Sequence, residues 1–168
     1  IVRLVAHELR RRQPAWLVVD PVMIATSGAR LLTEGAVRAM VHELIPLADV
    51  LTPNLPEAEA LLGHPIRTAR DYDRAGVALR ALGADAVLLK GGHARGGEVV
   101  DRFYDADGVL ELRHPRLRVE GHGTGCTLAS AIAAELAKGL AVEPAVERAR
   151  DYVRYAIATS PGIGRGHG

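Results

Sequence analysis

Cysteine occurs once in the 168 residues, at Cys126, so no internal disulfide framework can form and a reducing, cytoplasmic compartment is expected. Lysine is almost as scarce: Lys90 and Lys138 are the two present, and arginine carries nearly all the positive charge. Net charge is +1 with both signs interspersed, which leaves no basic face of the kind that binds nucleic acid. The longest basic run, Arg10 to Arg12, closes an amphipathic stretch and suits a helix C-terminus. Apolar runs stay far below the ~18 residues of a spanning helix, so no membrane partner is expected. Internal repeats, low-complexity linkers and a signal-peptide pattern are also missing, and Ile1 falls within a helical pattern with no initiator methionine. The expectation is one domain, residues 1–168, forming the later part of something longer.

What is present is an alternation of strand and helix signals. "IVRLVAHELRRR" has helical spacing, and "AWLVVD" is the short, nearly continuous apolar run of a strand buried on both faces. "PVMIATSGARLL" reads as a loop. From Thr33 as N-cap, "EGAVRAMVHELI" returns to helical period and is expected to stop before Pro46. "ADVLT" is the next strand, and "PNLPEAEALLG" a short helix closed by Gly63. "DYDRAGVALRALG" predicts another helix and "AVLLK" another buried strand. "EVVDRFYD" and "VLELR", joined through "ADG", read as a hairpin. "RLRVE" predicts a last strand, followed by a glycine turn, an Ala-rich helix to Lys138 and a final helix from Pro144 to about Ser160. "GIGRGHG" reads as a loose tail. The pattern argues for a mostly parallel sheet flanked by helices, with a small antiparallel hairpin added.

In open parallel sheets ligands bind beyond the carboxyl ends of the strands. The residues leaving those ends here agree in chemistry. "WLVVD" ends in Asp20, "DVLT" runs into Asn54 and Glu57, and "AVLLK" ends in Lys90 followed by Gly91 and Gly92. Carboxylates, an amide, an ammonium and backbone N–H groups on one edge are the parts of a phosphate-plus-magnesium site. Each has a plainer reading: Asp20 before Pro21 can start a turn, Asn54 and Glu57 can be an N-cap and a first-turn acid, and Lys90 can be a solvated strand end. Co-location of all four favours the site.

"GHGTGC", residues 121–126, stands where a helix should begin. Unpaired N–H groups and a positive dipole end make Gly123, Thr124 and Gly125 a candidate anion hole, with a purely structural turn as the alternative. Cys126 stands where a dinucleotide fingerprint needs glycine, and no glycine-lysine-serine/threonine run exists for a Walker loop. In the first helical turn, where the dipole favours thiolate, Cys126 is a candidate base or nucleophile; packing of a small buried residue is the alternative. His122 can orient phosphate or merely cap, and His93 lies in a glycine-rich loop able to fold over a ligand.

Taken in order, "VVDPVMIATSG", "LTPNLPEAEALLG", "VLLKGGH" and "GHGTGCTLASAIAAELAKG" resemble the hydroxymethylpyrimidine/phosphomethylpyrimidine kinases of thiamin biosynthesis, in the ribokinase-like superfamily. The resemblance runs end to end. It implies a ribokinase-like α/β fold lacking its N-terminal portion, with residues 1–168 as the C-terminal, ATP-binding part. It implies ATP and Mg2+ as cofactors, and transfer of phosphate to 4-amino-5-hydroxymethyl-2-methylpyrimidine and then to its monophosphate. Asn54 and Glu57 match the Asn-x-x-Glu element that governs magnesium and phosphate, and Asp20 matches the acid of an Asp-Pro-Val motif near the metal. Lys90, with Gly91 and Gly92, matches the lysine near the ATP phosphates. Gly123 to Cys126 match the anion hole, with Cys126 at the position of the base. An unprotected sheet edge favours pairing with a second copy, so a homo-oligomer, a dimer, is expected. Two other readings stay open: a pyridoxal/pyridoxine kinase of the same superfamily, and a truncated, non-catalytic nucleotide-binding module.

Overall fold

The apolar runs that end in polar residues become parallel strands. A computed structural model of the chain describes residues 1–23, 30–92, 97–117 and 123–161. In it β1 (Val18–Val19) pairs in parallel with β2 (Val50–Leu51), and β2 with β3 (Ala86–Leu89). β4 (Glu98–Tyr104) runs antiparallel to β3 and pairs with β5 (Val109–Pro115), giving the order β1-β2-β3-β4-β5. The expected hairpin is thus two strands of a five-stranded mixed sheet: Val87, Leu88 and Leu89 pair directly with Tyr104, Phe103 and Arg102. At its turn Asp105 Oδ1 accepts the N–H groups of Asp107 and Gly108, which lets the chain reverse.

Side-chain alternation divides the core. Ala86 and Leu88 join Val50 and Phe103 under α5 (Thr124–Ala137) and α6 (Val142–Ala158), which contribute Leu128, Ile132, Leu136, Val146 and Ala149. Val87 and Leu89 join Val19 and Leu51 on the opposite face, beneath α3 (Leu55–Leu62) and α4 (Ala69–Arg80), with Ala58, Ala75 and Leu79. All four residues of β3 are buried, as expected of a strand covered on both faces. On that second face, α1 (Val2–Arg12) packs Val2 against the same core, and α2 (Glu34–Ala39) leads into a buried Met40.

Two helix boundaries differ from expectation. The helix begun at α2 does not stop before Pro46; it widens to a π-helical turn (Met40–Leu44) and then tightens to a 3-10 turn (Ile45–Leu47) that contains the proline. A proline is accepted there because it sits in the first positions of a new turn, where its missing N–H costs no bond. For the same reason α6 starts at Val142, with Pro144 in its first turn. Arg116 and Leu117 follow β5 without joining a strand. The rest of the expected "RLRVE" strand, the loop centre 24–29, His93, His122 and the tail 162–168 lie outside the described residues.

α4 meets the sheet at a single tight point. A methyl added to Gly76 would sit 2.3 Å from ring carbons of Tyr104. That ring is buried, its hydroxyl donates to Tyr72 O at 3.0 Å, and burial pushes the phenol up to about 12, so it has no room to swing aside. Gly76→Ala is therefore expected to cost about 1–3 kcal/mol in urea denaturation, the usual penalty of overpacking. Unchanged stability would mean that the ring yields.

Candidate active site

The period of two along each strand decides which residues share a face. Val18, Val50 and Leu88 all pack on the α5–α6 side, so Asp20, Thr52 and Lys90, two positions on, leave their strands toward that same side. There they meet. Lys90 Nζ donates to Asp20 Oδ1 at 2.8 Å, and Thr52 Oγ1 donates to the same oxygen at 2.9 Å. The two charged side chains are only 13% and 12% exposed. The backbone holds the junction: Thr52 N–H donates to Val19 O at 3.0 Å, Lys90 N–H to Pro53 O at 2.9 Å, and Asn54 bridges Lys90 in parallel. Asp20 also begins a tight turn, since Val22 N–H returns to Asp20 O across Pro21. That turn leaves the carboxylate at the strand end.

α5 brings its N-terminus onto this pair. Gly123 is its N-cap with φ 75°, a left-handed conformation that glycine adopts without strain, and it has no side chain with which to cap the first turn. A Cβ on Gly125 would lie 3.0 Å from Lys90 Nζ and 3.8 Å from Asp20 Oδ2. Thr124 and Gly125 line a cleft of about 330 Å³ whose polar end holds Asn54, Lys90 and Gly92. Leu117, Leu128, Val153 and Ile157 form its apolar wall, and Arg116, Arg154 and His114 add basic character. Cys126 is exposed in the first turn of α5, next to Gly125 and outside the cleft lining.

Asn54 and Glu57 form a capping box: Asn54 Oδ1 accepts Glu57 N–H at 2.9 Å, and Glu57 Oε2 accepts Asn54 N–H at 2.8 Å. The structural reading of this pair is thus realised, and it also fixes Glu57 near Asp20 and Lys90. Burial pushes the Glu57 carboxyl above its usual range, and the nearby Asp20 charge adds to that; the Asn54 N–H and Lys90 pull the other way. Among the described residues no three of His, Cys, Asp and Glu gather to hold a metal by themselves. Gly91 does not offer a free N–H: it is buried and donates to Asp101 Oδ1 at 2.7 Å.

The sequence reading missed Thr52 and the buried pair Asp101–Arg150, joined at 2.8 Å. Both had a signal. Thr52 closes an apolar strand two positions after Val50, and Asp101 sits between the apolar Val99 and Phe103 on an inward register. A charge at such a position implies a buried partner.

This α/β arrangement, with a polar pocket at the ends of the parallel strands, is that of the ribokinase-like class. Solved structures agree in fold. The Bacillus subtilis pyridoxal kinase, in its ADP complex, has a TM-score of 0.86 at 32% identity, covering 97% of this chain and 61% of that one. The phosphomethylpyrimidine kinase of Clostridium difficile has a TM-score of 0.79 at 38% identity, covering 94% and 64%. In sequence, the hydroxymethylpyrimidine/phosphomethylpyrimidine kinase of Rhizobium meliloti is 47% identical over 155 residues, 90% of this chain and 58% of that protein. Its counterpart from Haemophilus influenzae is 44% identical over 173 residues, covering 100% and 64%. The profile of the phosphomethylpyrimidine kinase family matches residues 1–168, and the chain belongs to that family. It spans less than two thirds of the length of these relatives.

Glu57 gives a test of the site's electrostatics. A raised carboxyl favours the protonated acid in the folded state, so its contribution to stability is full in acid and lost as pH rises through the raised value. Glu57→Gln keeps an acceptor for the capping box and removes the buried charge. The variant should melt higher than the parent at neutral pH without divalent cations, with the gap closing in acid. A lower melting temperature at neutral pH would show that the carboxylate is well solvated or paired.

Proposed function

We propose that this chain is the nucleotide-side portion of an ATP-dependent kinase that phosphorylates 4-amino-5-hydroxymethyl-2-methylpyrimidine and then its monophosphate. The observation that carries this reading is the convergence of Asp20, Lys90 and the α5 N-terminus at one end of an apolar-walled cleft. The cleft takes the adenosine, and its polar end the phosphates. Arg154 Nε supports that use: it is buried with no hydrogen-bond partner among the described residues, and it lines the cleft. Identity favours the pyrimidine over pyridoxal, at 38–47% to the three pyrimidine kinases above against 32% to the pyridoxal kinase.

Lys90 has three N–H donors, of which Asp20 uses one; the others are left for phosphate oxygens on a side chain already oriented. First-turn N–H groups at Thr124 and Gly125 add fixed dipoles aimed at the same charge. Asp20 and Glu57 suit Mg2+, which binds through one or two carboxylates plus phosphate oxygens, and a cation there relieves the burial cost that Glu57 bears. When bound it would neutralise charge on the transferring phosphoryl group. Cys126 takes the proton of the substrate hydroxyl as its oxygen forms a bond to the γ-phosphorus and ADP leaves. The proposed enzyme works in the cytoplasm as a homodimer; Leu4 and Val5, exposed on α1, support self-association.

A coupled ADP-release assay with the pyrimidine, with pyridoxal and with neither tests this reading. Release that depends on the pyrimidine is expected; release independent of any acceptor would reduce the protein to a nucleotide hydrolase. Cys126→Ala should lower turnover by about a hundredfold or more while leaving ADP affinity, read by calorimetry, unchanged. Full turnover in that variant would remove the thiol from proton transfer.

A further inference from the structure

Asp20 holds the tip of Lys90, but the path of the backbone that carries Lys90 is set by the next residue. Gly91 is buried, and a Cβ there would lie 2.0 Å from Val100 O, so this stretch is pressed directly onto β4. Its N–H ends on Asp101 Oδ1 at 2.7 Å. The other carboxylate oxygen accepts Arg150 Nε at 2.8 Å, and Arg150 Nη2 donates onward to Leu112 O at 2.9 Å. Both charged side chains are 8% exposed. One carboxylate therefore joins Gly91, two residues past the end of β3, to β4 and α6, and through the guanidinium to β5.

Stability is a poor explanation for such a pair, because apolar side chains of similar volume often serve as well in a core. An apolar pair, however, offers no acceptor to Gly91. We propose that Asp101, oriented by Arg150, is a positioning residue for Lys90: by anchoring the Gly91 N–H it fixes the direction in which Lys90 leaves β3. The ammonium is thereby kept between Asp20 and Gly125 at the polar end of the cleft. The inference rests on the proposed role of Lys90 at the nucleotide phosphates.

The chain's two lysines make the test direct, since Lys138 is 63% exposed and serves as an internal reference for acetylation by acetic anhydride. The double variant Asp101→Leu/Arg150→Met removes both buried charges together and leaves Gly91 without its acceptor. Asp101→Asn/Arg150→Met returns an acceptor. In the Leu variant, Lys90 should label about tenfold faster relative to Lys138 than in the parent, and ADP should bind about tenfold more weakly with adenosine affinity unchanged. The Asn variant should restore both. A folded Leu variant with the parental labelling ratio and parental ADP affinity overturns the inference, as does equal weakening of ADP and adenosine, which marks a general structural role. Should the Leu variant fail to fold, the parent decides: a protected Gly91 amide in hydrogen exchange supports the anchor, and one exchanging at the rate of an open chain overturns it. A parent that binds neither ADP nor adenosine defeats the nucleotide reading alone, because the labelling ratio still reports on Lys90.

Discussion

The contact between Lys90 and Asp20 ties the ends of β1 and β3 across β2, and the rest of the site is arranged around it. Two charges this little exposed need more than each other, since desolvation offsets much of their attraction unless further hydrogen bonds satisfy the remaining lone pairs. Thr52 supplies one from the strand between them. The geometry also demands register. A slip of one residue in β1, β2 or β3 would turn Asp20, Thr52 or Lys90 to the opposite face, away from α5. The buried alternation of Ala86 to Leu89, split between two helical layers, prevents that slip. Core packing and site assembly are thus one constraint, expressed through the pleat.

Space is the second constraint. Gly91 and Gly125 lie on either side of Lys90, one before the backbone of β4 and the other before the ammonium itself. A side chain at 91 would push the strand end off Val100, and one at 125 would intrude on the ion pair. The glycine-rich segments therefore do separate jobs. Gly125 brings a helix N-terminus close to an ammonium and a carboxylate, whereas Gly91 gives its N–H to Asp101 and serves the scaffold. Lys90 and Gly91, adjacent in sequence, divide into one group turned to the cleft and one turned inward.

Much of this was legible in the sequence because it depends on periods of two and on residues at strand ends. "AWLVVD", "ADVLT" and "AVLLK" gave three parallel strands, and the capping box at Asn54 and Glu57 lies where the Asn-x-x-Glu spacing puts it. Asp101–Arg150 was not legible as a pair, since 49 residues separate its members and no local pattern announces that α6 will cross β4. Its half on β4 was visible as a charge on an apolar face. The π-helical turn after α2 had no local signal either; it arises where a helix must reach Pro46 and still bury Met40 and Ile45. The hairpin was foreseen, but its full share of the sheet was not, because pairing of β3 with β4 depends on tertiary contact of Leu88 with Phe103.

Each group of the proposed site is held from within the chain: Asp20 by Lys90 and Thr52, Glu57 by its capping box, Lys90 by strand pairing, and the α5 N-terminus by close approach at Gly125. Dipoles and charges so fixed would need little reorganisation on binding the proposed anion, which is where electrostatic stabilisation gains over water. Glu57 is the exception that gives the arrangement direction. Burial raises its carboxyl above the usual range despite Lys90 nearby, so a divalent ion bound there, as proposed, would compete with the proton for the same oxygens. In the proposed enzyme, metal binding at this edge would therefore be coupled to proton release through Glu57.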